Sequence, residues 1–583
     1  MAIPENKVCQ NCKASFTIDA QDFDFYKKID VPPPTWCPDC RMIRRLSFRN
    51  QEKLFRGKDA HSGKEIFSMY PPEAGLKVYE DQYWLSDNWD AMEYGRDYDF
   101  SRSFFEQFRE LMRDVPWDAM SGLRMVNSDY SNNATDFKNC YLCFNGSRNE
   151  DSAYCVSFSD SKNSFDCKQA DHLELCYELF SASACYKTFW STETDDSQNV
   201  WFSRNCSDLS DCFGCVNLKS KQYHIFNQPY SKEDYKKKLE EMRLDTYSGL
   251  MKARDEAYKF WEQFPVKYMR SIMNVNVDGE FIFNSKNVHQ SYHIGGAENV
   301  KYSFNLFDKV ADCYDYCSWG EGAQMIYESL IVGDGVKNLK FCYECWPSSQ
   351  NMEYSAHCRS SSDCFGCFGL KKKQYCIFNK QYSKEEYFSL RERIIKHMNE
   401  IPYTDKRGNI YRYGEFFPSE FSAFAINETI VDQCLPMEKE KALSLGFNWR
   451  EPNPREFQTT IKAADLPDSL TDTTDAICKE IVGCMKCQRA YRIIPMEFQF
   501  YKLVNMPLPR ICHECRLRER VEKFMPPMKW YPMQCMCDYV IYKNFDKHNN
   551  HPDGQCPNEF LTTHIPDGGE IVYCEQCYNS EVA

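Results

Sequence analysis

A stretch that occurs twice in the chain decides the fold. It reads SDCFGCVNLKSKQYHIFN at residues 210–227 and SDCFGCFGLKKKQYCIFN at residues 362–379, so the two copies are offset by 152 positions. Both copies then reach Tyr-Ser-Lys-Glu, at Tyr230–Glu233 and Tyr382–Glu385. The match indicates an internal duplication of a domain of roughly 100 residues that ends in a helix.

Short alternating runs within each copy predict β structure. Residues 154–158 (YCVSF) and 302–306 (YSFNL) lie between clusters of Asn, Asp, Ser and Gly. This pattern is typical of strands joined by turns. Aromatic residues recur every 21–24 positions in the first copy and every 21–27 in the second. A period of about 20–25 residues made of strand and turn predicts a β-solenoid, in which successive rungs stack on one another.

The chain contains 32 cysteines, and those of the repeats mostly lack metal-ligand spacing. Small side chains must stack in register inside a solenoid, and a free cysteine behaves there as a small hydrophobe. We therefore interpret five cysteines of the first copy as interior residues: Cys140, Cys155, Cys167, Cys176 and Cys185. Two pairs do have knuckle spacing, and the sequence leaves open whether they bind metal: Cys212 with Cys215, and Cys364 with Cys367.

A helix-capping signal follows each copy. Ser231–Asp234 and Ser383–Glu386 have the form in which a hydroxyl accepts from a backbone N–H while an acid reaches back. Apolar residues follow at helical spacing, starting from Tyr235 and from Tyr387. We expect each helix to cover an open end of the solenoid, because an exposed sheet edge would invite pairing with another chain.

Two cysteine pairs near the start have the spacing of a four-thiolate metal site. They are Cys9-x2-Cys12 and Cys37-x2-Cys40, with 24 residues between them. Each CxxC forms a tight knuckle that presents two sulfurs, and two knuckles close a tetrahedron around one zinc ion. A shift of 475 positions superposes these cysteines, with the aromatics, prolines and arginines around them, on a second predicted site: Cys484, Cys487, Cys512 and Cys515.

Other residues of these modules resemble a known family. Phe25-Tyr26-Lys27 lies between the two pairs, prolines precede the second pair, and Cys37-Pro38-Asp39-Cys40-Arg41 closes the module. The combination resembles the family of probable zinc-ribbon domains over about 35 residues at each end, which implies structural zinc. The whole chain also looks like long multi-zinc-ribbon proteins of candidate-phyla bacteria. That resemblance brings no established activity with it.

A third metal site is predicted in the last 50 residues. Cys574-x2-Cys577 supplies one knuckle, and three upstream thiols compete to complete the site. We favour Cys537 and Cys556 as the other two ligands, which leaves Cys535 spare. Three histidines of the same region are less favoured as ligands: His548, His551 and His564.

The charge distribution gives a second indication of function. A net charge of −14 argues against broad electrostatic binding to nucleic acid. Basic residues nevertheless cluster after each ribbon, and small zinc ribbons with basic flanks often contact nucleic acid. RNA or ribosome binding is therefore one hypothesis, and it would use six arginines: Arg41, Arg44, Arg45, Arg516, Arg518 and Arg520. The alternative is a solvated helix face, because Glu52, Glu519 and Glu522 interrupt both clusters.

These signals predict a multidomain, mainly β protein with a duplicated β-solenoid-like repeat region, flanking zinc-ribbon modules and short capping helices. The predicted segments are a zinc ribbon at 1–45, an aromatic-rich α+β linker region at 46–128, a first repeat with its capping helix at 129–245, a helical connector at 246–280, a second repeat with its capping helix at 281–400, an α+β connector at 401–478, a second zinc ribbon at 479–525 and a zinc knuckle at 526–583.

The sequence predicts a cytoplasmic zinc-binding scaffold for a protein or RNA partner, with about three structural zinc ions, and the resemblance implies a bacterial source. The sequence contains no phosphate-binding loop, GxSxG or HExxH signature, so the prediction leans away from an enzyme. Two alternatives stay open: an enzyme acting on polysaccharide or nucleotide along the solenoid face, and a thiol redox sensor. We expect no membrane partner, because the start lacks an apolar signal and no run reaches the about 20 apolar residues of a membrane span.

Overall fold

The computed structural model describes residues 3–451, 458–539 and 548–582. The chain is mainly β, with two large sheets built of parallel strands. It divides into two compact units, each assembled from two separate stretches of sequence. Unit 1 consists of Met1–Met120 and Met269–Glu451, and unit 2 consists of Ser121–Tyr268 and Pro452–Ala583. The N-terminal ribbon therefore shares a unit with the second repeat, and the C-terminal ribbon shares one with the first repeat.

The first repeat forms the large sheet of unit 2. Its thirteen strands are Gly122–Leu123, Asn132–Lys138, Phe144–Glu150, Val156–Ser159, Lys168–Asp171, Phe180–Ser183, Tyr186–Phe189, Thr192–Asp195, Gln198–Trp201, Arg204–Phe213, Lys219–Gln222, His224–Ile225 and Gln228–Pro229.

Neighbouring parallel strands in this sheet are offset by 12 residues. Val156 pairs with Lys168, and Lys168 pairs with Phe180. The same step continues from Phe180 to Thr192 and from Thr192 to Arg204. The step is about half of the 20–25 residues that the aromatic spacing predicts.

A column of large side chains accounts for the difference. Phe165, Tyr177, Phe189, Trp201 and Phe213 pair in succession, each 12 residues after the one before. Tyr177 and Trp201 are thus two steps apart. For this pair the aromatic spacing therefore spans two steps, with Phe189 between them. The other two aromatics of the predicted series, Tyr154 and Tyr223, lie outside this column, which continues through Ala153 and Ile225.

The backbone turns at every third residue of the first repeat. Asp136, Asn139, Leu142, Asn145 and Arg148 all have φ between 50° and 58°. This is the left-handed region, which glycine adopts freely, Asn and Asp tolerate next best, and other residues adopt at a cost of roughly 1–3 kcal/mol each. The regular turns explain why the strands are short. The hydrogen bonds to the neighbouring strands must offset this repeated backbone cost.

Small side chains fill the interior of the first repeat. The five cysteines predicted to lie there are all buried, with exposed fractions of 2% or less. Interior serines bridge successive strands: the hydroxyl of Ser164 accepts from the Cys176 N–H, and the hydroxyl of Ser203 accepts from the Cys215 N–H. The cysteines therefore act as small packing residues in a hydrogen-bonded interior.

The second repeat forms the large sheet of unit 1. Tyr292 pairs with Phe304 at a step of 12, whereas Gln324 pairs with Lys337 at a step of 13. One extra residue is therefore accommodated per step in the middle of the sheet. Its ten strands are Ser271–Ile272, Val275–Phe283, Lys286–Lys301, Phe304–Gly320, Gln324–Gly333, Lys337–Lys340, Gln350–Glu353, Ser362–Phe365, Gln374–Ile377 and Lys380–Gln381.

The helices lie mostly outside the large sheets. Ser231 and Ser383 cap the two helices that follow the repeats, accepting from the N–H groups of Asp234 and Glu386, as the capping signals predict. Unit 1 contains Ala20–Lys28, Pro38–Leu46, Asp81–Leu85, Phe104–Asp114, Lys384–Glu400, Val431–Cys434 and Lys439–Ser444. Unit 2 contains Lys232–Met242, Tyr247–Trp261, Pro495–Val504, His513–Phe524 and Glu575–Val582.

Short strand pairs support the metal-binding modules and connectors. In unit 1 they are Glu5–Val8 with Ser15–Ile18, Phe55–Lys58 with Glu65–Ser68, Val78–Tyr79 with Trp117–Asp118, and Tyr403–Thr404 with Ile410–Tyr411. In unit 2 they are Ile461–Lys462 with Val482–Gly483 and Ala490–Tyr491, Tyr531–Gln534 with Glu559–Thr562, and Val266–Lys267 with Val572–Tyr573.

Candidate metal centres

The four cysteines of the N-terminal ribbon converge on one point. The first pair lies at the turn of a short antiparallel hairpin, and the second pair begins the helix Pro38–Leu46, whose N-terminus favours thiolates. The sulfurs of Cys12 and Cys37 are 3.7 Å apart. A tetrahedron with Zn–S bonds of about 2.3 Å has edges of about 3.8 Å, so the spacing fits zinc. All four sulfurs lie within 4.8 Å of one another: Cys9, Cys12, Cys37 and Cys40.

The C-terminal ribbon repeats this geometry. The sulfurs of Cys484 and Cys515 are 3.8 Å apart, and those of Cys487 and Cys512 are 3.7 Å apart. Cys512 directly precedes the helix His513–Phe524, as Cys37 precedes Pro38–Leu46 in the first ribbon. The structure thus brings together both predicted tetrads, in positions related by the sequence duplication.

Backbone N–H donors lower the pKa of one of these thiols, Cys484. Burial raises the pKa of Cys484, but backbone N–H groups, first that of Cys487 and then those of Cys512 and Lys486, bring the pKa down to about 7. The Cys512 N–H lies 3.3 Å from the Cys484 sulfur. A thiol that ionises near neutral pH is a ready zinc ligand, since the metal binds the thiolate.

The third tetrad has one member that differs from the sequence prediction. Cys535 joins Cys556, Cys574 and Cys577 within 4.8 Å. Cys537 instead lies in a separate group with His548 and Cys577. Spacing cannot decide between Cys535 and Cys537, because the two residues are only two positions apart on the same extended segment and either can reach the knuckle.

The knuckle-spaced cysteines of the repeats do not take part in these groups. Cys212 and Cys215 are fully buried, and each sulfur lies within hydrogen-bonding distance of carbonyl oxygens of its own strand and the next. Cys364 and Cys367 are placed in the same way. Among the described residues, none of these four belongs to a group of three or more metal-ligating atoms.

The arginines after the N-terminal ribbon lie in the interior of unit 1. The guanidinium groups of Arg41 and Arg45 both donate to Asp315, at 2.9 Å. Arg45 and Arg44 also donate to Glu328, at 3.0 and 2.9 Å. The three side chains are at most 1% exposed. They therefore join the ribbon helix to the second repeat and are not available to nucleic acid in this structure.

The same arrangement recurs in unit 2. Arg516 donates to Asp166 and Glu497 at 3.0 and 3.1 Å, and Arg520 pairs with Asp166 and Glu178. Burial raises the pKa of the Glu178 carboxyl to about 7, and Arg520 opposes the shift. Of the six arginines predicted to contact nucleic acid, Arg518 is the exposed one.

Contacts between aromatic rings complete both ribbon–repeat interfaces. Phe25 stacks on Tyr314 with ring centroids 3.9 Å apart, and its counterpart Phe500 packs on Phe165 at 4.5 Å. We name the arginine, acid and aromatic contacts of each unit its clamp. Sequence reasoning missed the clamps, although their acids are also duplicated: an Asp and a Glu one step apart occur in each repeat.

A groove in unit 1 lies away from the metal centres. It has a volume of about 470 Å³ and is lined in part by Glu73, Glu420, Trp449 and Arg450. Arg450 pairs with Glu73, and Glu420 accepts from the Tyr403 hydroxyl. Both acids are engaged in these contacts, and the groove does not lie on a repeat face.

Comparisons with known proteins place the chain near no described family. No family profile matches it, and no curated protein matches it. A solved structure of a proposed acetyltransferase from Desulfovibrio desulfuricans G20 is similar over 50% of this chain and 75% of that one. The two are 10% identical with a TM-score of 0.11, so the likeness carries no argument about fold or function. In the described part of the chain, no helix has the length and apolar character of a membrane span.

Proposed function

We propose that this protein is a scaffold in which structural zinc holds ribbon modules against two β-solenoids, and that its role is to bind a partner. The observation that carries the proposal is the donor set: three groups of four thiolates, each close enough to hold one ion. A site of four cysteines leaves no open coordination position, so the metal contributes folding energy and not catalysis. The ribbon duplication and the family resemblance support zinc as the ion.

The parallel steps of 12 residues support a solenoid interpretation of both repeats. Exposed side chains one step apart pair with each other: Arg148 with Asp160 at 2.6 Å, and Lys138 with Glu150 at 2.5 Å. A row of such pairs, which we call a ladder, forms an extended face with regularly spaced polar groups and balanced charge. We call this surface the ladder face. Repeat proteins use faces of this kind to bind partners along their length.

A protein partner fits these features better than RNA does. Five of the six arginines predicted to contact nucleic acid are buried in ion pairs, and the net charge is −14. Nucleic-acid binding draws its affinity from exposed Lys and Arg that displace counterions. The exposed lysines Lys236, Lys237 and Lys238 on one helix are the feature that favours RNA as the second candidate.

A thiol redox sensor receives less support. The redox-active thiol of a sensor is exposed and has a low pKa. Burial raises the pKa of Cys155 and Cys167 well above the ordinary range, and both are fully buried. Cys478 is half-buried, and its pKa is also raised by burial.

Site-specific photo-crosslinking in cells tests the partner proposal. We expect a photoreactive residue in place of Arg148, on the ladder face, to trap a polypeptide that survives ribonuclease and is degraded by protease. The matched control carries the same residue in place of Lys252, which is exposed on a helix of the same unit. A crosslinked product that ribonuclease degrades would show that the partner is RNA. Equal yields of crosslinked product at both positions would contradict binding by the ladder face.

A further inference from the structure

The C-terminal module contains more metal ligands than one ion can use. Cys535, Cys556, Cys574 and Cys577 form one group, and Cys537, His548 and Cys577 form another. Cys577 belongs to both. We propose that this module holds two zinc ions bridged by the Cys577 thiolate, so that the chain carries four ions.

The distances around Cys537 are those of a mixed sulfur and nitrogen site. Its sulfur lies 3.5 Å from Nε2 of His548 and 3.4 Å from Nε2 of His551. For Zn–S bonds of about 2.3 Å and Zn–N bonds of about 2.0–2.1 Å, a tetrahedron has sulfur–nitrogen edges of about 3.5 Å. The group of Cys537, His548 and Cys577 supplies three ligands of the second ion. His551 is not part of that group, but its Nε2 faces the Cys537 sulfur, so we assign it as the fourth ligand.

The tautomer of His551 favours this role. Its Nδ1 lies 2.9 Å from the carbonyl oxygen of Pro552. A carbonyl only accepts, so Nδ1 carries the proton and Nε2 presents its lone pair towards Cys537. Zinc-binding histidines characteristically donate their other ring N–H to a carbonyl or carboxylate in this way.

Tyr539 holds both imidazoles in place. Its ring stacks on His551 with centroids 4.1 Å apart and meets His548 edge-on at 4.9 Å. Its hydroxyl also donates to the His551 carbonyl oxygen, at 3.0 Å. A ligand set whose rotamers are fixed by such contacts loses little entropy when the ion binds.

The charge balance also favours a second ion. A single Zn²⁺ with four thiolates carries two net negative charges, and the Cys537 sulfur lies close to this group through Cys577. A second Zn²⁺ turns Cys537 into a ligand, and two neutral imidazoles add no charge. Five thiolates and two dications then carry one net negative charge, which is less costly to bury.

Native mass spectrometry of the full chain tests this inference, which rests on the proposed structural role of zinc. We expect four zinc ions in the natural protein and three in the double variant His548→Gln, His551→Gln. His564→Gln is the matched control, because His564 is buried in the same module but faces Glu570 and the Lys267 carbonyl. The control should keep four ions.

Other outcomes separate the two proposals. Three ions in the natural protein, or an unchanged count in the double variant, would overturn the bridged centre and leave the scaffold proposal standing. Fewer than two ions would overturn both. Cys537→Ser provides a second variant with an expected loss of one ion. In cadmium-substituted protein, scalar coupling between two ¹¹³Cd signals is expected, and its absence would contradict a shared sulfur.

Discussion

Replacing Arg520 by Met is expected to lower the free energy of unfolding of unit 2 by about 3–5 kcal/mol, because it leaves Glu178 buried without its principal partner. Arg520 is 3% exposed and pairs with Asp166 and Glu178 across the ribbon–repeat interface. Arg516 still pairs with Asp166, so the loss falls mainly on Glu178. Urea denaturation followed by tryptophan fluorescence measures the change.

Arg518→Met is the matched control for this prediction. Arg518 lies two residues away on the same helix and is exposed, so its replacement should change the free energy of unfolding by less than about 0.5 kcal/mol. Equal effects of the two substitutions would show that the buried ion pairs do not hold the ribbon. The result also affects how nucleic-acid binding can be tested. If Arg520 stabilises unit 2, reversing the charge of a buried clamp arginine would disrupt the structure, so any loss of nucleic-acid binding in such a variant would not identify a contact.

Removal of metal is expected to unfold the ribbons while the repeats persist. Structural zinc contributes apparent binding free energies of about 10–16 kcal/mol per site, which far exceeds the stability of so small a module. After chelation we expect the amides of Pro495–Val504 and His513–Phe524 to exchange hydrogen at unfolded rates. Phe500 then loses its packing on Phe165, but the backbone pairing of the repeat remains. Hydrogen exchange with mass spectrometry measures both regions.

Returning zinc provides the control for the chelation experiment. Zinc should restore protection to both ribbon helices, whereas calcium should not, because thiolates select soft metals and calcium requires oxygen ligands. Unchanged exchange in the chelated protein would mean that the cysteine groups are packing clusters and that the ribbons fold without metal.

The local features of the fold could be predicted from sequence. The knuckles of Cys9-x2-Cys12 and Cys484-x2-Cys487 could be identified because ligand spacing within a turn is a local property. Both capping serines could be identified for the same reason, since Ser231 and Ser383 act on residues three positions away.

The long-range features could not be predicted in the same way. The 12-residue step was obscured because left-handed turns at every third residue break the period-two alternation of an ordinary strand. The sequence suggests a basic surface for the clamp arginines because their acidic partners are far away in the chain: Asp315 lies 270 positions after Arg45. The duplication is the one sequence feature that indicates these ion pairs, because the arginines and the acids recur together in both halves of the chain.

Zinc K-edge X-ray absorption of the full chain, purified without chelator, tests the central claim most directly. Structural sites built almost entirely of thiolates predict a first shell dominated by sulfur at about 2.3 Å, with a minor nitrogen contribution from the histidines and no bound water. A first shell rich in oxygen would contradict the account, because it would mean open sites where the structure brings four sulfurs together.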